Sequence, residues 1–437
     1  MMTTLSKPKE YSWMTKDKLM TYTFGALVIL AALSYISFGI TAIIVSLIAV
    51  AVAVTLDYLL SLLMKEKGPL NTMSAAVFGL IVALSYSLGV YIMVTPEIFP
   101  LQAPDAYYFV AAIAAVGMIV FKKLQGLAGR KYVNPAAAAK LVVLIPFLFQ
   151  VLLPAEHERT LPTLAGPIDN NGLTSFGSLL QSCSIHPASI TLPFSHTQPE
   201  IFQSLILQKY HGWIGGVSSL AVIMVGVALF VVCRRYIKWR ITLSYLLTIL
   251  AMSLIMASIY GGDTLLRIGF ELFIGSSIFL AFFMATDPAT TPLTYSGQGI
   301  FGAGLGVLTV LIQTYMSFLG GSVLALVIMN LTSPFLDRVG KKKPAETKRE
   351  PKLPRAKRFE TVKTVECIRC GACMRVCCHS LSPILIKEAF NKSKLERLRQ
   401  LKADLCDGCG HCSFVCPSRI DLKAYILRAK TSLHPKT

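Results

Sequence analysis

The sequence predicts an all-α polytopic membrane protein of about ten transmembrane helices, followed by a small cysteine-rich domain at the C-terminus. Three observations lead to this fold class. Hydrophobic residues make up 54% of the chain and charged residues 15%, and the mean hydropathy is +0.60. Apolar segments long enough to cross roughly 30 Å of hydrocarbon recur up to residue 337. Beyond that point the chain becomes polar, and nine of its 11 cysteines lie between residues 367 and 416.

The apolar segments define a transmembrane domain at residues 19–337, which follows a short leader at residues 1–18. No cleavage site follows the first apolar run, so we interpret the leader as cytoplasmic and not as a signal peptide. The predicted spans lie at residues 20–38, 40–63, 72–95, 104–121, 134–154, 213–233, 240–260, 266–286, 299–317 and 319–336.

The distribution of basic residues predicts the orientation of these spans. The net charge is +19, but the basic residues cluster in the leader, in alternate short loops and after residue 337. That pattern is typical of a positive-inside membrane protein and not of a nucleic-acid-binding protein. We therefore expect a multi-pass protein of the bacterial cytoplasmic (inner) membrane, in contact with lipid, with both termini in the cytoplasm.

Two segments outside the spans stand out. Residues 155–212 form a polar, turn-rich outer loop, and loops of this length are more often functional than idle. Residues 338–363 contain 11 Lys and Arg residues against three acidic residues, with three prolines. This second segment is either a solvated, semi-rigid linker or a linker that also contacts anionic lipid or an acidic partner.

Residues 364–437 contain two similar cysteine runs. Each run has three cysteines separated by two residues and a fourth after three more, and Pro417 follows the second run. This doubled spacing is typical of an α+β bacterial-type ferredoxin domain with two [4Fe–4S] clusters, in which the fourth cysteine of each run ligates the other cluster. The predicted ligands of cluster one are Cys367, Cys370, Cys373 and Cys416. The predicted ligands of cluster two are Cys406, Cys409, Cys412 and Cys377.

Zinc and disulfides are the alternatives. Zinc also binds C-x-x-C pairs, although zinc sites rarely use three evenly spaced cysteines plus a fourth in each half. Disulfides fit a reducing cytoplasmic location poorly.

Several polar residues lie within or beside the spans. Glu271 in the eighth span is either part of an ion or cofactor site or a buried, protonated carboxyl. Asn134-Pro135-Ala136 and Asp287-Pro288-Ala289 are similar helix-end elements, one in each half, and they suggest an internal repeat with a site where the halves meet. The G-x-G-x-x-G sequence at 297–302 follows no strand, so we interpret Gly299, Gly302, Gly304 and Gly306 as helix-packing residues.

Several of these segments resemble the D subunit of the Rnf electron-transport complex, a family related to the B subunit of the sodium-translocating NADH:quinone reductase. The matching segments are Tyr132–Ala136, Lys238–Ile241, Phe282–Pro288, Gly299–Gly302 and Met329–Pro334. The cysteine tail resembles the ferredoxin segment of the Rnf C subunit, so the chain looks like a fusion of two partners in one electron path. The resemblance implies other Rnf-like subunits as partners, with a quinone or a soluble ferredoxin or flavoprotein donor.

The resemblance also implies FMN, attached to the Thr of an S/T-G-A-T motif in the outer loop. Here the nearest sequence is Ser189-Ile190-Thr191-Leu192, without the glycine. We therefore expect any FMN or riboflavin to be non-covalent and to lie near Asp287, where backbone groups freed at Pro288 could bind it; the alternative is that the chain carries no flavin. In the tail, Cys378 stands where the related sequences have proline, either as a spare thiol or as a substitute for Cys377.

The function expected from these features is membrane electron transfer. As a redox subunit of a multi-subunit oxidoreductase, the chain would pass low-potential electrons from the clusters to a flavin or quinone, with possible coupling to Na⁺ or H⁺ movement. The alternative is a transporter of a small molecule such as a flavin, with the ferredoxin domain as a docking or sensing module.

Overall fold

The computed structural model of the protein describes most of the chain. The described residues are 10–64, 72–86, 103–125, 131–152, 206–207, 213–273, 277–315, 321–340, 344, 356–358 and 364–433. They form two compact units. The membrane unit comprises Thr21–Glu66 and Leu70–Leu336, and the tail unit comprises Met1–Met20, Lys67–Pro69 and Asp337–Thr437.

Helices dominate both units. Among the described residues, eleven helices begin before residue 337: α1 Lys16–Phe38, α2 Ile40–Leu63, α3 Thr72–Leu84, α4 Ala103–Val116, α5 Pro135–Leu152, α6 Ser219–Val232, α7 Trp239–Tyr260, α8 Thr264–Phe273, α9 Ser277–Phe279, α10 Tyr295–Tyr315 and α11 Gly321–Leu336. Wider π-helical turns extend α4 through Gly117–Leu124 and α9 through Leu280–Met284, and a 3₁₀ turn at Ile214–Gly216 precedes α6. Five short helices follow in the tail: α12 Ala372–Arg375, α13 Pro383–Asn391, α14 Leu395–Gln400, α15 His411–Phe414 and α16 Leu422–Leu433, with a 3₁₀ turn at Ala403–Leu405.

The described helices make this a multi-pass membrane protein. Five are long and apolar enough to cross a bilayer, and α8 with α9 and its π-helical turn form a bent pair that makes a sixth candidate. Four shorter apolar helices, α3, α5, α6 and α11, coincide with further predicted spans but fall below that length. The structure thus supports five or six spans among the described residues, and the total of ten remains a prediction. Most of the outer loop at 155–212 lies outside the described residues.

Small residues set the packing of the membrane unit. A Cβ added at Gly302 in α10 would lie 2.5 Å from the carbonyl oxygen of Ile241 in α7, and one at Gly306 would lie 2.8 Å from Thr248. The Ser244 hydroxyl donates to the Gly299 carbonyl at 2.8 Å across the same contact. The predicted packing role is confirmed for Gly302 and Gly306, and for Gly304, which lies against Met329. It is wrong for Gly299, because nothing lies within 4 Å of a Cβ built there.

The tail unit includes residues from both ends of the chain. Its two described strands, β1 Glu10–Ser12 and β2 Ala356–Arg358, pair antiparallel with Tyr11 opposite Lys357. Residues 364–433 contain helices and turns but no described strand, so the predicted α+β character of residues 364–437 is not seen there. The sheet of this unit instead pairs a strand from the leader with one from the linker. The buried Arg419 side chain also donates to the Ser12 carbonyl at 2.7 Å.

The close approach of α7 and α10 predicts a position-specific effect of added methyl groups. We expect Gly302→Ala to reduce the stability of the membrane unit by about 1–3 kcal/mol, because the new Cβ must displace the α7 backbone. Gly299→Ala is the matched control in the same helix and should not destabilise the protein. Thermal unfolding in detergent measures both; equal losses for the two variants would contradict this packing.

Candidate functional site

Eight of the tail cysteines surround two separate cavities. The first is lined by four cysteines, Cys367, Cys370, Cys373 and Cys416. The second is lined by four others, Cys377, Cys406, Cys409 and Cys412. Each cavity therefore receives three thiols from one run and one from the other, in the two groups that the spacing predicts.

An internal repeat explains why the two cavities are alike. A shift of 39 residues carries Cys367 onto Cys406 and Cys377 onto Cys416. The same shift carries the first residue of α12, Ala372, onto the first residue of α15, His411. It also carries the start of α13 onto the start of α16. The tail thus contains two copies of one loop–helix–loop–helix unit. Each copy contributes its fourth cysteine to the cavity of the other copy.

Backbone conformation directs the three closely spaced thiols toward one cavity. Positive φ angles occur at matching places, 52° at Arg369 and 75° at Gly408, then 72° at Gly371 and 79° at Gly410. These left-handed residues reverse the chain on both sides of the middle cysteine. Glycine adopts that conformation without a steric penalty, whereas Arg369 pays a penalty that its surroundings must offset.

The ion pairs of Arg369 stabilise this left-handed conformation. Its buried guanidinium pairs with Glu388 in α13, and it donates to the Asp337 carboxylate at 3.2 Å. The Arg369 amide donates to the Cys367 sulfur at 3.3 Å. Arg369 therefore links the first loop of the cavity to Glu388 in α13 and to Asp337.

The two cavities differ in exposure. Three of the four thiols at the first cavity are buried, whereas at the second only Cys412 is buried and Cys409 is exposed. Burial raises the pKa of Cys367 to about 11 and that of Cys416 to about 12. Thiols in such an environment keep their protons until a metal centre displaces them. Four convergent sulfur donors around one cavity are the ligand set of a sulfur-ligated metal centre.

Cys378 lies beside the second cavity but is not part of its lining. Its sulfur lies 3.5 Å from the Cys409 sulfur and 3.0 Å from Nδ1 of His411. Cys377 lines the cavity and accepts a hydrogen bond from the Leu381 amide at 3.3 Å. The sequence analysis did not identify His411; its place within the second cysteine run was the available signal.

In the membrane unit, the first helix-end element contacts the segment that leads into the second. The Asn134 side-chain oxygen accepts hydrogen bonds from the amides of Ala136 and Ala137 at 3.0 and 3.2 Å, which caps α5. Its amide nitrogen donates to the carbonyl of Met284 at 3.2 Å. Asn134 therefore joins the first element to the end of the segment that leads into Asp287.

The polar groups around Asp287 stabilise their own turn. The carboxylate accepts hydrogen bonds from the Ala289 amide at 3.1 Å and the Thr290 hydroxyl at 3.2 Å. The buried Lys238 ammonium donates to the carbonyls of Pro288 and Thr291, each at 2.8 Å. These contacts hold the turn after Asp287 together, and the expected non-covalent flavin near Asp287 stays a prediction. Thr191 lies outside the described residues.

Two acidic side chains within the spans have protein partners. Asp57 in α2 forms an ion pair with Lys123 at 3.2 Å, and Lys123 also donates to the Ser61 hydroxyl at 2.8 Å. Glu271 is fully buried and accepts a hydrogen bond from the Thr314 hydroxyl at 3.2 Å. The contacts of Asp57 are those of a charge neutralised inside a helix bundle.

The fold and the cysteine site together define a polytopic membrane protein with a tail unit in which eight cysteines line two cavities. The chain belongs to the NQR2, RnfD, RnfE family, whose match covers residues 3–346. The cysteine runs lie beyond the end of that match.

Curated relatives agree with the family. The chain is 28% identical over 315 residues to the D subunit of the Na(+)-translocating ferredoxin:NAD(+) oxidoreductase complex of Acetobacterium woodii, which covers 72% of this chain and 85% of the relative. It is 28% identical over 352 residues to the D subunit of the ion-translocating oxidoreductase complex of Mannheimia succiniciproducens, with 76% and 94% covered. The protein of the same description from Salmonella paratyphi A is 29% identical over 288 residues, with 61% and 76% covered.

Proposed function

We propose that this protein is a membrane electron-transfer subunit of an Rnf-like, ion-translocating oxidoreductase complex, and that its tail is a two-cluster ferredoxin module fused to the membrane part. The observation that carries the proposal is the division of eight thiols into two crossed groups of four, each around its own cavity. The relatives are described as subunits of ion-translocating oxidoreductase complexes, and one of those complexes uses ferredoxin. A ferredoxin module on the same chain would shorten the path of electrons into such a complex.

The tail residues have distinct roles in this proposal. Cys367, Cys370, Cys373 and Cys416 hold cluster one, and Cys406, Cys409, Cys412 and Cys377 hold cluster two. Bound [4Fe–4S] clusters accept and release single electrons. Ile368, Ile384 and Leu422 line the first cavity with apolar groups and keep water from its thiols. Asp407 and Lys423 line the second cavity, so the charged and exposed side of the tail lies at cluster two.

The membrane unit would receive these electrons and pass them to a flavin or quinone, in a complex with other Rnf-like subunits. The family match and the names of the relatives favour this role over a flavin transporter, because the relatives are named as oxidoreductase subunits. We assign no residue to a flavin, because the polar groups at Asp287 already form hydrogen bonds that stabilise the turn after it.

Metal analysis tests the cluster assignment. Protein purified without oxygen should contain about eight irons and eight acid-labile sulfides per chain, as expected for two [4Fe–4S] clusters. Cys370→Ala should lower the iron content toward half, because it removes one ligand of cluster one only. Cys409→Ala is the matched variant for cluster two and should have the same effect. Zinc in place of iron, or iron without sulfide, would contradict the assignment.

The proposed location is the bacterial inner membrane with both termini and the clusters in the cytoplasm, where the positive-inside rule places the basic loops. Green fluorescent protein fused after Thr437 should fluoresce, and alkaline phosphatase fused there should be inactive. The same reporters fused after truncation at residue 170, within the outer loop, are the matched control and should give the opposite result. Active phosphatase after Thr437 would refute this orientation.

A further inference from the structure

The two halves of the tail repeat differ at two positions next to the cysteine sites. The 39-residue shift carries Cys378 onto Pro417, and it carries Ala372 onto His411. The second cavity therefore has a thiol and an imidazole beside it where the first has a proline ring and a methyl group. The difference concerns hydrogen bonding, because neither proline nor alanine has a side-chain donor.

Cys378 and His411 form a continuous polar chain to one cysteine of the second cavity. The Cys378 sulfur is 3.5 Å from the Cys409 sulfur and 3.0 Å from His411 Nδ1. Only 1% of the Cys378 surface is exposed, so water does not compete for its thiol. The matching cysteine of the first cavity, Cys370, has Pro417 in the cavity lining with it.

The direction of these hydrogen bonds follows from the proposed ligation. Cys409 bound to iron is a thiolate without a proton, so it can only accept. Cys378 must then donate its single S–H proton to the Cys409 sulfur. The Cys378 sulfur is left as an acceptor for the Nδ1–H group of His411, which fixes the imidazole tautomer.

We propose, on the basis of the two-cluster function above, that Cys378 and His411 are positioning residues that raise the reduction potential of cluster two above the value it would have without them. A hydrogen bond to a ligand sulfur withdraws negative charge from the cluster and so favours its reduced form. At the positions that match Cys378 and His411, cluster one has Pro417 and Ala372, whose side chains cannot donate.

Redox titration followed by electron paramagnetic resonance tests this inference on the full-length protein. Two midpoint potentials are expected, and Cys378→Ala should move that of cluster two toward more reducing values without moving the other. Cys378→Ser should keep most of the original value, because a hydroxyl also donates to sulfur. His411→Ala should cause a smaller shift in the same direction as Cys378→Ala. Pro417→Ala, at the matching place beside cluster one, is the control and should move neither potential.

Iron and sulfide contents, measured on every sample, separate the possible failures. Unaltered protein without clusters would end both the proposed function and this inference. Full clusters in Cys378→Ala with both potentials unchanged would overturn the inference alone. Loss of half the iron in Cys378→Ala would also overturn it, since Cys378 would then be a ligand in place of Cys377. So would zinc bound by Cys378, Cys409 and His411, which lie close enough to form a three-ligand site.

Discussion

The exchange of the fourth cysteine between the two runs is the constraint on which the tail depends. Cys416 lines the cavity of the first run, and Cys377 lines the cavity of the second. Neither cavity can be completed by one run alone, so the two halves must fold together. The left-handed residues on both sides of the middle cysteines make this possible, because they turn three closely spaced thiols toward one point.

The loop that carries Cys416 also contacts the N-terminal segment of the chain. Pro417, the residue after Cys416, accepts a hydrogen bond from the amide of Lys16 at 2.9 Å, and Arg419 donates to the carbonyl of Ser12. Lys16 is the first residue of α1. The segment that we interpret as a leader thus contacts the loop that delivers Cys416 to the first cavity. A residue near the start of the chain can therefore affect a site that lies 400 residues later.

The sequence predicted features set by regular spacing, and it failed where a single distant contact decided the structure. The grouping of the cysteines follows from their spacing, and the roles of Gly302 and Gly306 follow from the helical repeat. The packing prediction was wrong for Gly299 because a Cβ built there meets nothing within 4 Å. The contact of Lys238 was not predicted, since nothing local shows that its ammonium binds the turn after Asp287, some 50 residues later.

Arg369 illustrates the same limit within the tail. Arg369 adopts a left-handed conformation at the position that matches Gly408, and no sequence pattern shows that a residue other than glycine does so there. The compensating partners, Asp337 and Glu388, lie 32 and 19 residues away. The strained residue and its partners become visible only when the chain is folded.

A density map of anaerobically purified protein, with anomalous scattering measured at the iron absorption edge, would show directly which cysteines bind each metal centre. We expect two four-iron centres, with Cys416 bonded to the one held by Cys367, Cys370 and Cys373, and Cys377 bonded to the one held by Cys406, Cys409 and Cys412. A map in which each run supplies all four ligands of its own centre would contradict it, as would a single metal ion in either cavity.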